Sequence, residues 1–236
     1  MENIFHQIYR ENIWSDPSIR SGTGSNLAQT QRIRVVLPEI LEKYGVKSSV
    51  DIPCGDFFWM KEIRPTLDRI LTSYIGGDIV EELVKANTAL YSNDKFQFDC
   101  LDIQHSPLPM VDLLYCRDCL AHFSYGDILA AIHNIKNSRS KYLSTTTFPG
   151  RRNRDIVTGA WFPIKLEKCP FSFPKPLMRI EKECMEYDRA YIEKAMALWE
   201  IDKISTSRFR FILSMLAGVR RLLSLKRRWT EKVSQK

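Results

Sequence analysis

Three carboxylates, Asp51, Asp78 and Asp102, each stand at or just beyond the end of a short β-branched or apolar run. The first run, Ser48 to Ile52, stops at a turn built on Pro53 and Gly55, within Val50-Asp51-Ile52-Pro53-Cys54-Gly55-Asp56. The second, Tyr74-Ile75-Gly76-Gly77, ends at Asp78, and the third, Phe96 to Leu101, ends at Asp102, 24 residues further on. In an open α/β sheet, ligands bind outside the carboxyl ends of the strands. An acid at the tip of the second strand is placed to take two ribose hydroxyls. Acids at three successive strand tips line one crevice, which reads as a nucleoside site. Taken singly, each is more readily a helix cap or a surface residue; the set carries the reading.

Other residues add chemistry around this crevice. His122 is a candidate catalytic base, because imidazole near its ordinary pKa takes a proton from a hydroxyl. The competing reading is a histidine capping the helix that starts near Ser124. Arg117 and Asp118, on the same loop, border the cofactor or substrate, or else pair with each other. Asn153, Asp155 and Trp161 follow the fifth strand among Arg151, Arg152 and Arg154, and are the candidate substrate-binding residues. That cluster suits an anionic or hydroxyl-rich substrate, and a solvated basic loop explains it equally. Cys116-x-x-Cys119 lacks a second pair at matching distance, so buried free thiols are expected and no metal.

The elements that must position these residues alternate. A helix following the Ser21–Ser25 turn carries Ile33, Leu37, Ile40, Leu41 and Tyr44 at helical spacing, and Gly45 stops it. Strands are expected at 48–53, 70–77, 95–101, 111–116 and 141–147, with helices at 57–67, 80–92 and 124–137 between them. The helix at 80–92 is expected to bury Leu83, Ala86 and Leu90. The one at 124–137 opens with Ser124-x-x-Asp127, a capping pattern. Such alternation implies an α/β fold with parallel strands and helices on both faces. Residues 149–177 hold five prolines with Trp161, Phe162, Phe171 and Phe173 between them, as in a lid or binding loop. A final strand, helix and strand are expected over 178–204.

Here the chain resembles the class I S-adenosylmethionine-dependent methyltransferases, over roughly residues 25–150. In that family the first strand ends in an Asp-x-Gly-x-Gly-like turn, the second in the ribose-binding acid, and the third in an acid near the adenine. The stretch from Asp112 to Phe123, with Leu120-Ala121-His122, matches the family's region after strand four. The turn departs from the pattern: Pro53-Cys54-Gly55-Asp56 keeps only the central glycine. Some branches carry this form with a Ser-Gly-x-Gly-Ser segment and a Thr-Gly-x-Trp segment, here Ser21–Ser25 and Thr158–Trp161. The absent Gly-x-Gly-x-x-Gly weakens a dinucleotide reading.

The resemblance implies a Rossmann-like three-layer sandwich with a mostly parallel seven-stranded sheet, and S-adenosylmethionine as cofactor. It implies that Asp51, Pro53, Cys54, Gly55 and Asp56 shape the methionine end, with Ser21–Ser25 folding over the methionine carboxylate. Asp78 and Ile79 then hold the ribose, Asp102 and Ile103 lie near the adenine, and Arg117 and Asp118 border the site. The expected activity is methyl transfer to an oxygen or nitrogen of a small-molecule or glycan-type acceptor. Two rivals remain: a nucleic-acid methyltransferase or binder, and a catalytically silent adaptor with the same fold.

Charge divides the chain in two. Of 236 residues with a net +7, Lys203–Lys236 holds ten Lys or Arg and one acid, a net +9. The first 202 residues carry 25 basic and 27 acidic side chains, so the body is nearly neutral. Residues 1–204 are read as the methyltransferase domain and 205–236 as a basic amphipathic helix. In that tail Phe209, Ile212, Leu216, Val219 and Leu223 form one stripe and Arg210, Arg221 and Arg228 another. The pattern suits an anionic membrane surface, self-packing against the body or a second subunit, or nucleic acid, which is the least favoured. With no secretory signal, no spanning run and irregularly spaced cysteines, the expected place is cytoplasmic, with peripheral contact at the inner membrane surface.

Overall fold

The computed structural model describes residues 2–14, 19–181, 190–207, 209, 211 and 214. Among the described residues, five α-helices precede or separate seven strands. The helices are α1 (Glu2–Arg10), α2 (Gln31–Lys43), α3 (Met60–Ile70), α4 (Glu81–Tyr91) and α5 (Tyr125–Asn137). The strands are β1 (Ser48–Asp51), β2 (Ser73–Asp78), β3 (Phe96–Cys100), β4 (Leu113–Cys116), β5 (Tyr142–Thr147), β6 (Met178–Glu181) and β7 (Ala195–Glu200).

The strands form one sheet in the order β3-β2-β1-β4-β5-β7-β6. β1 pairs in parallel with β2 and β4, β2 with β3, and β4 with β5. β7 runs antiparallel to both β5 and β6. The sheet is therefore mixed, which corrects the mostly parallel sheet expected from the sequence. Alternating strand and helix signals imply parallel crossovers, and that alternation ends at Thr147. Residues 148–177 carry no helix, so nothing in the local pattern dictates a parallel return.

Side-chain alternation along each strand builds two cores. Leu113 and Tyr115 of β4 face a core shared with Ile33, Leu37 and Leu41 of α2 and Ile63 and Leu67 of α3. Leu114 and Cys116 face the other, which contains Ile128, Ala131, Ile132 and Ile135 of α5. Because β4, β5 and β7 are covered on both faces, nearly all their residues are buried. β3 alternates Phe96 and Phe98 inward with Gln97 and Asp99 outward, as an edge strand should.

Local chemistry sets the end of α2 and the start of α5. Gly45, at φ +64°, follows α2, and Ser124 caps α5 by accepting the Asp127 amide at 3.2 Å. α3 starts three residues later than expected, because Phe57 takes φ +56° within the turn that leaves β1. The expected apolar face of α4 is corrected. Leu83 is buried as expected, but Ala86 and Leu90 are exposed, and Val84 and Asn87 are buried in their place.

The proline-rich segment is part of the body. Ile164, Leu166, Phe171 and Phe173 are buried in the α5-side core. Phe209, the first residue of the expected tail stripe, is buried there too, 4.9 Å from Phe171. The rest of that stripe and the expected helix between the last two strands fall mainly outside the described residues. Among the described residues no helix is long and apolar enough to cross a membrane.

Candidate functional site

The strand order reverses between β1 and β4, and the chain leaves these two neighbours in opposite directions. A cleft opens outside their carboxyl ends, where doubly wound sheets hold ligands. Its volume is about 1010 Å³ including its open mouth. Asp51, Pro53, Cys54, Gly55, Asp56, Asp78, Ile79, Asp102, Ile103, Arg117 and Asp118 all line it, and so does His122.

Asp78 sits at the tip of β2 and is buried. Its Oδ2 accepts the Gly55 amide at 3.0 Å, and its Oδ1 accepts the Val80 amide at 3.0 Å. One carboxylate therefore ties the β1 turn to the start of α4 while facing the cleft. Burial pushes its pKa up to about 6, against the hydrogen bonds from Val80, Gly55 and Ile79. Asp51 lies deeper, accepting the Tyr74 hydroxyl at 2.7 Å. Burial outweighs that bond and the Arg117 charge, and raises Asp51 to about 7. Burial, with the charges of Asp78 and Asp51, also pushes the Cys54 thiol up, so it is not a reactive thiolate.

The turn Pro53–Asp56 is braced from two sides. Asn87 donates to the Gly55 carbonyl oxygen at 2.7 Å, which explains why a polar residue on α4 is buried. Asp56 accepts the Arg20 amide and the Ser21 hydroxyl, each at 2.8 Å, and so draws residues 20–25 across the cleft. Gly55 combines φ +57° with a close approach: a Cβ there would stand 2.1 Å from Ser21 Oγ. Asp102 accepts Gln104 N at 2.8 Å and pairs with His105 at 2.9 Å, so it closes its own turn as well as lining the cleft.

Arg117 leaves β4 with its guanidinium buried. It donates to the Gly24 carbonyl oxygen and to Ser25 Oγ, the latter at 3.3 Å, and lies over the Trp59 ring at 5.7 Å. Asp118 pairs with Arg117 at 3.2 Å and accepts the buried Lys194 ammonium at 2.6 Å. Arg117 Nε and the Tyr115 hydroxyl are buried and find no partner among the described residues. Both residues line the cleft.

His122 ends a short 3₁₀ turn, Leu120–His122, and its Nδ1 lies 3.1 Å from the Ala160 carbonyl oxygen. Burial holds its pKa down to about 4, so the ring is neutral near pH 7. The Trp14 ring stands 5.1 Å away. Cys116 and Cys119 are free thiols that share a hydrogen bond.

Asn153, Asp155 and Trp161 do not line the cleft. The Asn153 amide staples its own loop through the Lys165 and Cys169 carbonyl oxygens and the Lys165 amide. Asp155 accepts the Tyr125 amide at 2.8 Å, at the start of α5. Trp161 packs against Phe148 and Tyr191 and remains exposed. Arg151 pairs with Glu193, and Arg154 lies over Phe162 at 4.4 Å, so these two cations engage the protein itself.

Sequence reasoning missed the roof and the back wall. Phe5, Tyr9 and Trp14 bring α1 and its continuation over the cleft. Arg10 of α1 donates to Glu82 of α4 at 2.7 Å. Trp59, Tyr115 and Cys119 complete the wall. The apolar spacing of Phe5, Ile8 and Tyr9 signals an amphipathic helix but not what it covers.

No protein-family profile and no curated relative matches the sequence. The fold is one shared with methyltransferases of known structure. The chain is similar to the N-methyltransferase NodS from Bradyrhizobium japonicum WM9 at 14% identity, covering 75% of this chain and 98% of that one with a TM-score of 0.55. It is similar to the methyltransferase domain of the bacterial CtHen1-CN at 11% identity, covering 74% and 100% with a TM-score of 0.52. Against the YcgJ protein from Bacillus subtilis (17% identity, 48% of this chain, TM-score 0.39) the match spans about half of the other chain, 49%.

Proposed function

We propose that the chain binds S-adenosylmethionine in this cleft and transfers its methyl group to an oxygen or nitrogen of a small-molecule or glycan-type acceptor. One observation carries the reading: eleven residues chosen for the cofactor from the sequence all line one cleft at the strand-order switch. The donor set suits the cofactor. Asp78 offers carboxylate oxygens to two ribose hydroxyls, and Leu101, Ile103, Cys119 and Phe123 offer an apolar berth for a base. The unpartnered Nε of Arg117 suits a carboxylate, and Asp51 suits an ammonium.

When bound, the cofactor supplies an electrophilic methyl carbon on sulfonium. The chain's own work is to hold the groups in line and exclude water. Residues 20–25 and α1 close over the cleft, and His122 accepts the proton that an acceptor hydroxyl or ammonium gives up. Trp161, one residue from the carbonyl that holds His122, is the proposed acceptor contact, with Asn153 and Asp155 shaping its loop. We assign residues 1–204 to this unit and 149–177 to the acceptor side; within 205–236 Phe209 packs into the body, and the basic stripe is assigned to peripheral contact with an anionic membrane. The last assignment rests on the tail's charge and stripe pattern alone.

The test is calorimetric titration of S-adenosylmethionine and S-adenosylhomocysteine into the full chain, with Asp78→Ala alongside. Saturable binding that the substitution weakens supports the reading. Well-folded protein that binds neither compound ends it.

A further inference from the structure

We propose that the segment Thr158–Phe162 positions His122, holding its ring as the Nδ1–H tautomer so that Nε2 is the proton acceptor in the cleft, with Thr158 and Asp127 as positioning residues. The use of that nitrogen in methyl transfer rests on the function proposed above; the geometry does not.

The segment is zipped onto the turn that carries His122. Gly159 N donates to the His122 carbonyl oxygen and Phe162 N to the Ala121 carbonyl oxygen, each at 2.9 Å. Ser124 N donates to Thr158 Oγ1 at 2.9 Å. These bonds flank His122 on both sides and bring the Ala160 carbonyl oxygen 3.1 Å from Nδ1. A carbonyl oxygen only accepts, so in the neutral ring Nδ1 carries the hydrogen and Nε2 keeps its lone pair.

Thr158 is the hinge of this arrangement. Its hydroxyl accepts from Ser124 N and donates to the Asp127 carboxylate, which also accepts the Ser124 hydroxyl at 2.9 Å. The same three residues cap α5, so the segment is anchored to the rigid start of a helix. At the other end Trp161 is braced by Phe148 and Tyr191, at 5.9 and 4.8 Å between ring centroids. Gly159 lets the segment pass beneath α1: it sits at φ +98°, and a Cβ there would stand 2.6 Å from Ile4. The charged groups that bear on His122 are Asp118 and Lys194, with the Trp14 ring against its face. The Ala160 carbonyl oxygen, 3.1 Å from Nδ1, is the hydrogen-bond partner of that nitrogen and sets the tautomer.

The experiment is histidine-selective nitrogen-15 NMR on the full chain near pH 7. In the wild type, the His122 signals, assigned with His122→Gln, should show Nδ1–H. Thr158→Val keeps the shape but loses both hydroxyl bonds, and should change the tautomer ratio about five-fold toward Nε2–H, the weight of one hydrogen bond. Thr158→Ser should restore the wild-type ratio, which a merely space-filling role would not require. Wild-type protein in the Nε2–H form overturns the proposal without any variant. A folded Thr158→Val with an unchanged ratio also overturns it. If Thr158→Val fails to fold, Asp127→Asn read the same way decides between these outcomes. Cofactor titration of the same samples separates the two ideas: an intact Nδ1–H tautomer with no binding leaves the positioning standing and removes the methyltransferase reading.

Discussion

Asp78 Oδ2 accepts the Gly55 amide at 3.0 Å, so the acid at the tip of β2 and the turn that leaves β1 are one unit. The other oxygen holds Val80, where α4 begins. A residue that reads equally as a helix cap or a ribose ligand is placed for both. Asp78→Asn keeps an acceptor for one amide but loses the charge. It should lower S-adenosylmethionine affinity by at least about ten-fold, the weight of a charged hydrogen bond, while circular dichroism stays unchanged. Calorimetry checks this, and equal affinities would remove Asp78 from the binding site.

Asn87 holds the same turn from α4 through the Gly55 carbonyl oxygen. Asn87→Ala leaves that carbonyl without its donor and should cost about 1–3 kcal/mol in urea unfolding. Cofactor affinity should fall with it, because the turn then loses one of its braces.

The buried carboxyls predict how stability follows pH. Asp51 and Asp78 are held up to about 7 and about 6, against about 3.9 for an ordinary aspartate. The folded chain keeps protons that the unfolded chain has released, so this contribution is full below about pH 4 and is lost as the pH rises through 6 and 7. His122, held down to about 4, opposes it; its contribution is present above its ordinary pKa of about 6.5 and lost as the pH falls toward 4. Asp51→Asn removes the Asp51 part. The melting temperature of the variant relative to wild type should therefore climb between pH 4 and pH 7.5, by roughly 2–4 °C per kcal/mol. A difference that does not vary with pH would contradict the raised Asp51.

Tyr74→Phe removes the hydroxyl that donates to Asp51 at 2.7 Å. That bond lowers the Asp51 pKa, so its loss should move the carboxyl titration further up, read by carbon-13 NMR. Stability near neutral pH should fall by about 1–3 kcal/mol.

Gly159→Ala meets two obstacles, φ +98° and Ile4 at 2.6 Å. It should destabilise the chain by about 1–2 kcal/mol from backbone strain alone, and hydrogen exchange in α1 should speed up. Adding Ile4→Ala should relieve the clash in α1 and leave the strain, so protection returns while the melting temperature recovers only in part.

The acids at the strand tips, the Ser124 cap and the Gly45 stop were legible in the sequence because each depends on its immediate neighbours. A β-branched run, a turn and an acid are contiguous, and a cap needs only three residues. Even so, contiguity did not separate binding from support: Asp56 and Asp102 line the cleft while holding backbone amides of their own surroundings. What the sequence left open involves partners far apart in the chain. Asn87 turns inward to meet Gly55 rather than lying opposite an apolar face. Ala160 reaches His122 across 38 residues, Arg117 reaches Ser25 across 92, and α1 comes to roof the cleft. The antiparallel insertion of β7 beside β5 belongs with these. No local period encodes such meetings. They are decided when both faces of the sheet are covered at once and most buried polar groups must find their partners.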